Sequence, residues 1–100
     1  MEFKHSPAPW IATKREFFIE LYDDNGSYVG LTNSTANAHL IAAAPELLEA
    51  LQSIQQSLAK YIEVANNIGV EATADGFYLG HAIDVEEKAR QAISKALGQQ

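Results

Sequence analysis

Phe17-Phe18-Ile19-Glu20-Leu21-Tyr22-Asp23-Asp24-Asn25-Gly26 is the stretch whose reading separates a mixed fold from an all-helical one. Its first part alternates, with Phe17, Ile19 and Leu21 on one face and Phe18, Glu20 and Tyr22 on the other, the period of two that a strand imposes. Its second part is a turn. Asn25-Gly26 tolerates positive φ at both central positions, and Tyr28-Val29-Gly30-Leu31-Thr32 beyond it reads as the return strand. An isolated hairpin is marginal in water, so residues 10–13 are expected to add a preceding strand. Upstream, Pro7 and Pro9 lack the donor that helices and central strands need, which leaves residues 1–9 as an extended arm. Residues 10–32 are thus expected to form a two- or three-stranded antiparallel meander.

Downstream the alphabet turns helical. Asn33-Ser34-Thr35 offers capping oxygens, and the Ala-rich run after it predicts a short helix over residues 34–44. Pro45 suits the first turn of a new helix, with Glu46 and Glu49 placed favourably near its positive end. From there Leu47, Leu51, Ile54, Leu58, Tyr61, Ala65 and Ile68 recur by steps of four and three, so a long amphipathic helix with a coiled-coil-like seam is expected over residues 45–68. Asn66-Asn67 and Gly69 read as its stop. Residues 69–83, with Asp75-Gly76 and Gly80, read as a loop. Asp84 with Glu87 makes an N-cap pair, and Val85, Ala89, Ala92, Ile93, Ala96 and Leu97 predict a C-terminal helix over residues 84–97, ended by Gly98. The expected fold is α+β, one domain of 100 residues.

Composition removes several classes of function. Seven Lys and Arg against thirteen Asp and Glu leave a net charge of −6, the wrong sign for general nucleic-acid binding. Cysteine is absent, which excludes disulfides, thiolate catalysis and cysteine-ligated zinc or iron–sulfur centres. The longest apolar run, residues 40–45, falls far short of the ~20 residues of a membrane span. The N-terminus carries no cationic-then-apolar leader, and the expectation is a soluble cytosolic protein that does not engage membranes.

The chemistry-bearing residues are sparse. His5, His39 and His81 are scattered, and only His81 has an acid, Asp84, at helical spacing, so no metal and no cofactor is expected. No nucleophile elbow, S-x-x-K pair or phosphate-cradling glycine loop is present, and no catalytic residue is assigned. The acidic pairs Asp23-Asp24 and Glu86-Glu87 fall where acids stabilise a turn and a helix start. Asp75-Gly76-Phe77-Tyr78-Leu79-Gly80-His81 is the most unusual segment, since aromatics and a His between glycines suit either a flat ligand or a plug over the helices. Tyr61, Phe77, Tyr78, His81 and Arg90 are therefore the candidates for contacting a ligand or partner. Leu51, Ile54, Leu58 and Tyr61 are the candidates for an interface between copies, because a stripe of this length exceeds what one hairpin and one short helix cover. The alternative cover is the C-terminal helix of the same chain, packed antiparallel.

Asn37-Ala38-His39-Leu40-Ile41-Ala42-Ala43-Ala44-Pro45-Glu46-Leu47-Leu48-Glu49-Ala50-Leu51 resembles the string N-A-x-L-I-A-A-A-P-E-L-L-E-A-L of small proteins of tailed bacteriophages and prophages. The same proteins carry an H-[ST]-P-x-P-W arm, matched by His5-Ser6-Pro7-Ala8-Pro9-Trp10, and a D-x-x-G hairpin, matched by Asp23 to Gly26. Their closing A-x-x-A-I-x-K-A segment is matched by Ala89-Arg90-Gln91-Ala92-Ile93-Ser94-Lys95-Ala96. The resemblance spans the chain apart from residues 61–83. It implies a phage context and an accessory role, and it assigns no functional residue.

The expectation is a non-enzymatic phage or prophage accessory binding protein, a homo-oligomer, that modulates a host process; the process implied by the resemblance is counter-defence, through a host protein or a sequestered nucleotide signal. A virion structural or assembly protein is one alternative. A small enzyme with a site around His81 and Asp84 is the other.

Overall fold

The computed structural model describes residues 5–67 and 74–99, with side chains described at 5–67 and 79–99. The element order is β1 (Ile11–Lys14), β2 (Ile19–Tyr22), β3 (Tyr28–Thr32), α1 (Thr35–Asn67) and α2 (Ala74–Ala96), an α+β arrangement with a three-stranded antiparallel sheet in the order β1-β2-β3. Two compact units divide inside α1, residues 1–49 and residues 50–100.

In the first unit the alternation places Ile19 and Leu21 in the interior, Leu21 with no exposed surface. Phe17 does not join them. The β1–β2 connection closes with the Arg15 amide donating to the Phe18 carbonyl at 2.8 Å, so Phe17 lies in the turn and is 81% exposed rather than on the core face. Strand geometry begins only at Ile19, and the period of two has no hold on a turn residue. Across β2 and β3, Tyr22 pairs with Tyr28 and their rings meet edge-on at 6.2 Å.

The β2–β3 turn is built by Asp23. Its Oδ1 accepts from the amides of Asn25 and Ser27, both at 2.9 Å, while the Gly26 amide donates to the Asp23 carbonyl at 3.0 Å. Only Gly26 takes positive φ, at 80°, and Asn25 does not, which differs from the turn with two positive-φ centres expected from Asn25-Gly26. The carboxylate of Asp23 organises the loop in place of a tight two-residue connection. The N-terminal arm is tied to the same turn: the Asp24 amide donates to the Pro7 carbonyl at 3.0 Å, and Trp10 Nε1 donates to the Ser6 carbonyl at 3.0 Å. His5 and Trp10 stack edge-on at 5.8 Å.

Ser34 caps α1, its Oγ accepting from the Asn37 amide at 3.2 Å. The helix then runs 33 residues without a break through Pro45, so the separate helices expected over residues 34–44 and 45–68 are one. An interior proline forfeits one backbone bond, at ~3 kcal/mol. Stopping and restarting a helix orphans four carbonyls and four amides, which is the larger loss.

In the second unit α2 begins at Ala74, ten residues before the expected start. The loop expected over residues 69–83 is therefore helical from residue 74 onward, and its earlier part lies outside the described residues. Asp84 sits inside the helix rather than capping it. Leu79, Glu86 and Ile93, seven residues apart, form the buried line of α2, and that burial outweighs the ~1 kcal/mol that each of Gly76 and Gly80 costs a helix. The C-terminus closes as expected at Gly98. With φ of 71°, it lets the Gly98 amide donate to the Lys95 carbonyl at 3.1 Å and the Gln99 amide to the Ser94 carbonyl at 2.8 Å, a Schellman pattern.

Candidate functional site

In the second unit, Ala50, Ile54, Ser57, Tyr61 and Val64 follow one another along α1 by steps of four and three, and all are exposed. Ile54, Tyr61 and Val64 leave 59%, 54% and 50% of their surface in solvent. Steps that average three and a half residues stay on one narrow stripe of a helix. The neighbouring positions behave differently: Leu51 and Leu58 are half-buried and Ala65 is buried. The seam read from the sequence is thus split lengthwise, with Ile54 and Tyr61 on its open side and Leu51 and Leu58 on its inner shoulder.

Ser53, Ile54, Ser57, Leu58 and Tyr61 line a shallow groove of about 390 Å³ on this stripe. Its polar side-chain groups are hydroxyls and it carries no charge, so it suits an apolar side chain better than a phosphate or carboxylate. Lys60 and Glu63 stand exposed beside the stripe. On the part of α1 in the first unit, Leu40, Ala43 and Leu47 keep the same steps and are exposed as well. Ser53, Ser57, Leu40 and Val64 were not singled out by the sequence reading. The signal for Leu40, Ser57 and Val64 is a second series, 40, 43, 47, 50, 54, 57, 61 and 64, apolar except at Ser57, which has the same period as the first and shares Leu47, Ile54 and Tyr61 with it; Ser53 lies outside it.

On α2, Glu86 is buried and doubly engaged. Gln55 Nε2 donates to its Oε2 at 2.6 Å, and Arg90 donates from Nε and Nη2 at 3.2 and 3.3 Å. The Arg90 guanidinium, then the Gln55 amide, hold the Glu86 carboxyl below the usual carboxylate range. Arg90 is thereby occupied by an internal partner, which weakens it as a receiver of an anionic ligand. His81, Asp84 and Lys88 are exposed on α2. Phe77 and Tyr78 lie on α2, and their side chains fall outside the described residues. Of the five ligand candidates, the structure therefore describes side chains for Tyr61, His81 and Arg90, and it places Tyr61 in the groove.

A second, smaller depression of about 150 Å³ lies in the first unit, among Lys14, Arg15, Phe17, Phe18, Asn33 and their neighbours. There Arg15 Nε is paired with Glu20 Oε1 at 2.6 Å and holds that carboxyl below its usual range. Among the described residues no group of three His, Cys, Asp or Glu side chains is placed to hold a metal, and no helix is long and apolar enough to cross a membrane.

Compared with known proteins, residues 1–100 match the model of the family described as Salmonella phage P22 protein Y8K6. No curated protein and no solved structure matches the chain.

Proposed function

The chain belongs to the Salmonella phage P22 protein Y8K6 family, and from that premise we propose that it is a non-enzymatic accessory protein that self-associates and works by binding. The observation that carries this reading is the uncharged groove on an exposed apolar stripe of α1, in a net acidic chain. Apolar surface held open along a helix is what association covers. We assign the action to the cytoplasm of the infected bacterium, on a host process of the counter-defence kind. A protein target is favoured over a nucleotide signal because Arg90, the cation that the nucleotide reading needs, is already held by Glu86.

Native mass spectrometry of the protein purified from infected cells tests the proposal. The expected spectrum is an oligomer that dissociates on Ile54→Asp, with no retained small molecule. A monomer at every concentration overturns self-association, and a species that carries mass of nucleotide size overturns the preference for a protein target.

A further inference from the structure

We propose that the α1 groove is filled by a second copy of this chain, whose α1 lies antiparallel to the first and inserts Leu47 at Ser57. This deepens the self-association reading above and rests on it. Ile54, Ser57, Leu58 and Tyr61 in the groove stand at i, i+3, i+4 and i+7, the four-residue hole that accepts one side chain of a facing helix.

Size decides the direction. The exposed stripe alternates Leu40, Leu47, Ile54 and Tyr61 with Ala43, Ala50, Ser57 and Val64. Parallel pairing sets every residue against itself, so Tyr61 crowds Tyr61 while Ala50 leaves a gap at Ala50. Antiparallel pairing that sets Ile54 against the partner's Ala50 also sets Leu47 against Ser57, Tyr61 against Ala43 and Leu40 against Val64. A large side chain then meets a small one in the three central layers, as close packing requires.

Charge selects the same arrangement independently. Glu46 and Lys60 flank one edge of the stripe, each exposed and each immediately preceding one of its large residues. In the antiparallel register, Glu46 of one copy and Lys60 of the other lie within two residues of level, ~3 Å along the axis. The two-fold axis makes that pair twice. In parallel register the same edge positions put Glu46 opposite Leu51 and Lys60 opposite Ala65, and neither charge meets an opposite charge. On the other edge, half-buried Leu51 meets its own copy and extends the apolar contact.

The chain has no cysteine, so single-cysteine variants report the register directly. Leu47→Cys and Ser57→Cys, both at exposed positions, are mixed and oxidised. The expected result is a disulfide-linked dimer from the mixture and little from either variant alone, since like positions lie ten residues out of level, ~15 Å. A disulfide-linked dimer from Ser57→Cys alone, with no mixed Leu47→Cys–Ser57→Cys dimer when the two are combined, overturns the antiparallel register and leaves self-association standing. A protein that stays monomeric in sedimentation equilibrium overturns both. Charge reversal gives a second readout: Glu46→Lys and Lys60→Glu each weaken the dimer about three- to tenfold, and the double variant restores it. Single reversals without effect on dimer affinity overturn the pairing of Glu46 with Lys60.

Discussion

Gln55 on α1 and Glu86 on α2, 31 residues apart in the chain, are joined by a 2.6 Å hydrogen bond from the side-chain amide to the carboxylate. Glu86 also takes both Arg90 contacts, so one nearly buried carboxylate links the two helices of the second unit and anchors a cation on its own helix. Glu86→Ala leaves the Gln55 amide without this acceptor in a half-buried site. The expected loss is about 1–2 kcal/mol in urea denaturation, against less than about 0.5 kcal/mol for Glu87→Ala at its exposed neighbour.

Acid should loosen the fold through the same group. Glu86 and Glu20 are both held below the ordinary carboxylate range in the folded chain, by Arg90 and Arg15 first. The unfolded chain therefore takes up protons first as pH falls. The stability these groups contribute is complete above the ordinary range and is lost as pH drops through their lowered folded values. Thermal melts from about pH 7 to about pH 3 should show a falling midpoint, with a shallower fall in Glu86→Gln.

The two ends of the helical region rest on single residues. Ser34→Ala removes the oxygen that receives the Asn37 amide, and Gly98→Ala forces a side chain into positive φ. Each should cost ~1 kcal/mol, which for a domain near this size lowers the melting midpoint by about 4–8 °C in calorimetry.

Leu21 and Phe17 should separate cleanly, although they share a face in the simple alternation. Leu21→Ala empties a fully buried site and should cost about 2–5 kcal/mol. Phe17→Ala removes a side chain that is mostly in solvent and should change stability by less than about 0.5 kcal/mol, measured in the same denaturation series.

Much of the fold was legible because its signals are local. The alternation at Ile19 and Leu21, the Asp23 to Gly26 turn, the Ser34 cap and the Gly98 stop each depend on residues within one turn of chain. Pro45 and Asp84 misled for the same reason: each is a strong local boundary signal, and each sits inside a helix whose continuity is worth more than the local preference. Of the groove, Ile54, Leu58 and Tyr61 were identified from the sequence, whereas Ser53 and Ser57 were not, because a serine on a helix carries no apolar signal.

The class and order of the elements, a β-meander followed by helices, were settled by residue chemistry along the chain, since turn geometry, capping and periodicity act over a few residues. What the tertiary structure alone decided is which of the unshared positions of two overlapping series on α1 turn inward. Leu51, Leu58 and Ala65 each lie one helical position beyond Ala50, Ser57 and Val64 of the other series, and both series share Leu47, Ile54 and Tyr61 at the same period. Periodicity cannot tell the two sets apart; only burial does, with Leu51 and Leu58 half-buried and Ala65 buried while Ala50, Ser57 and Val64 are exposed.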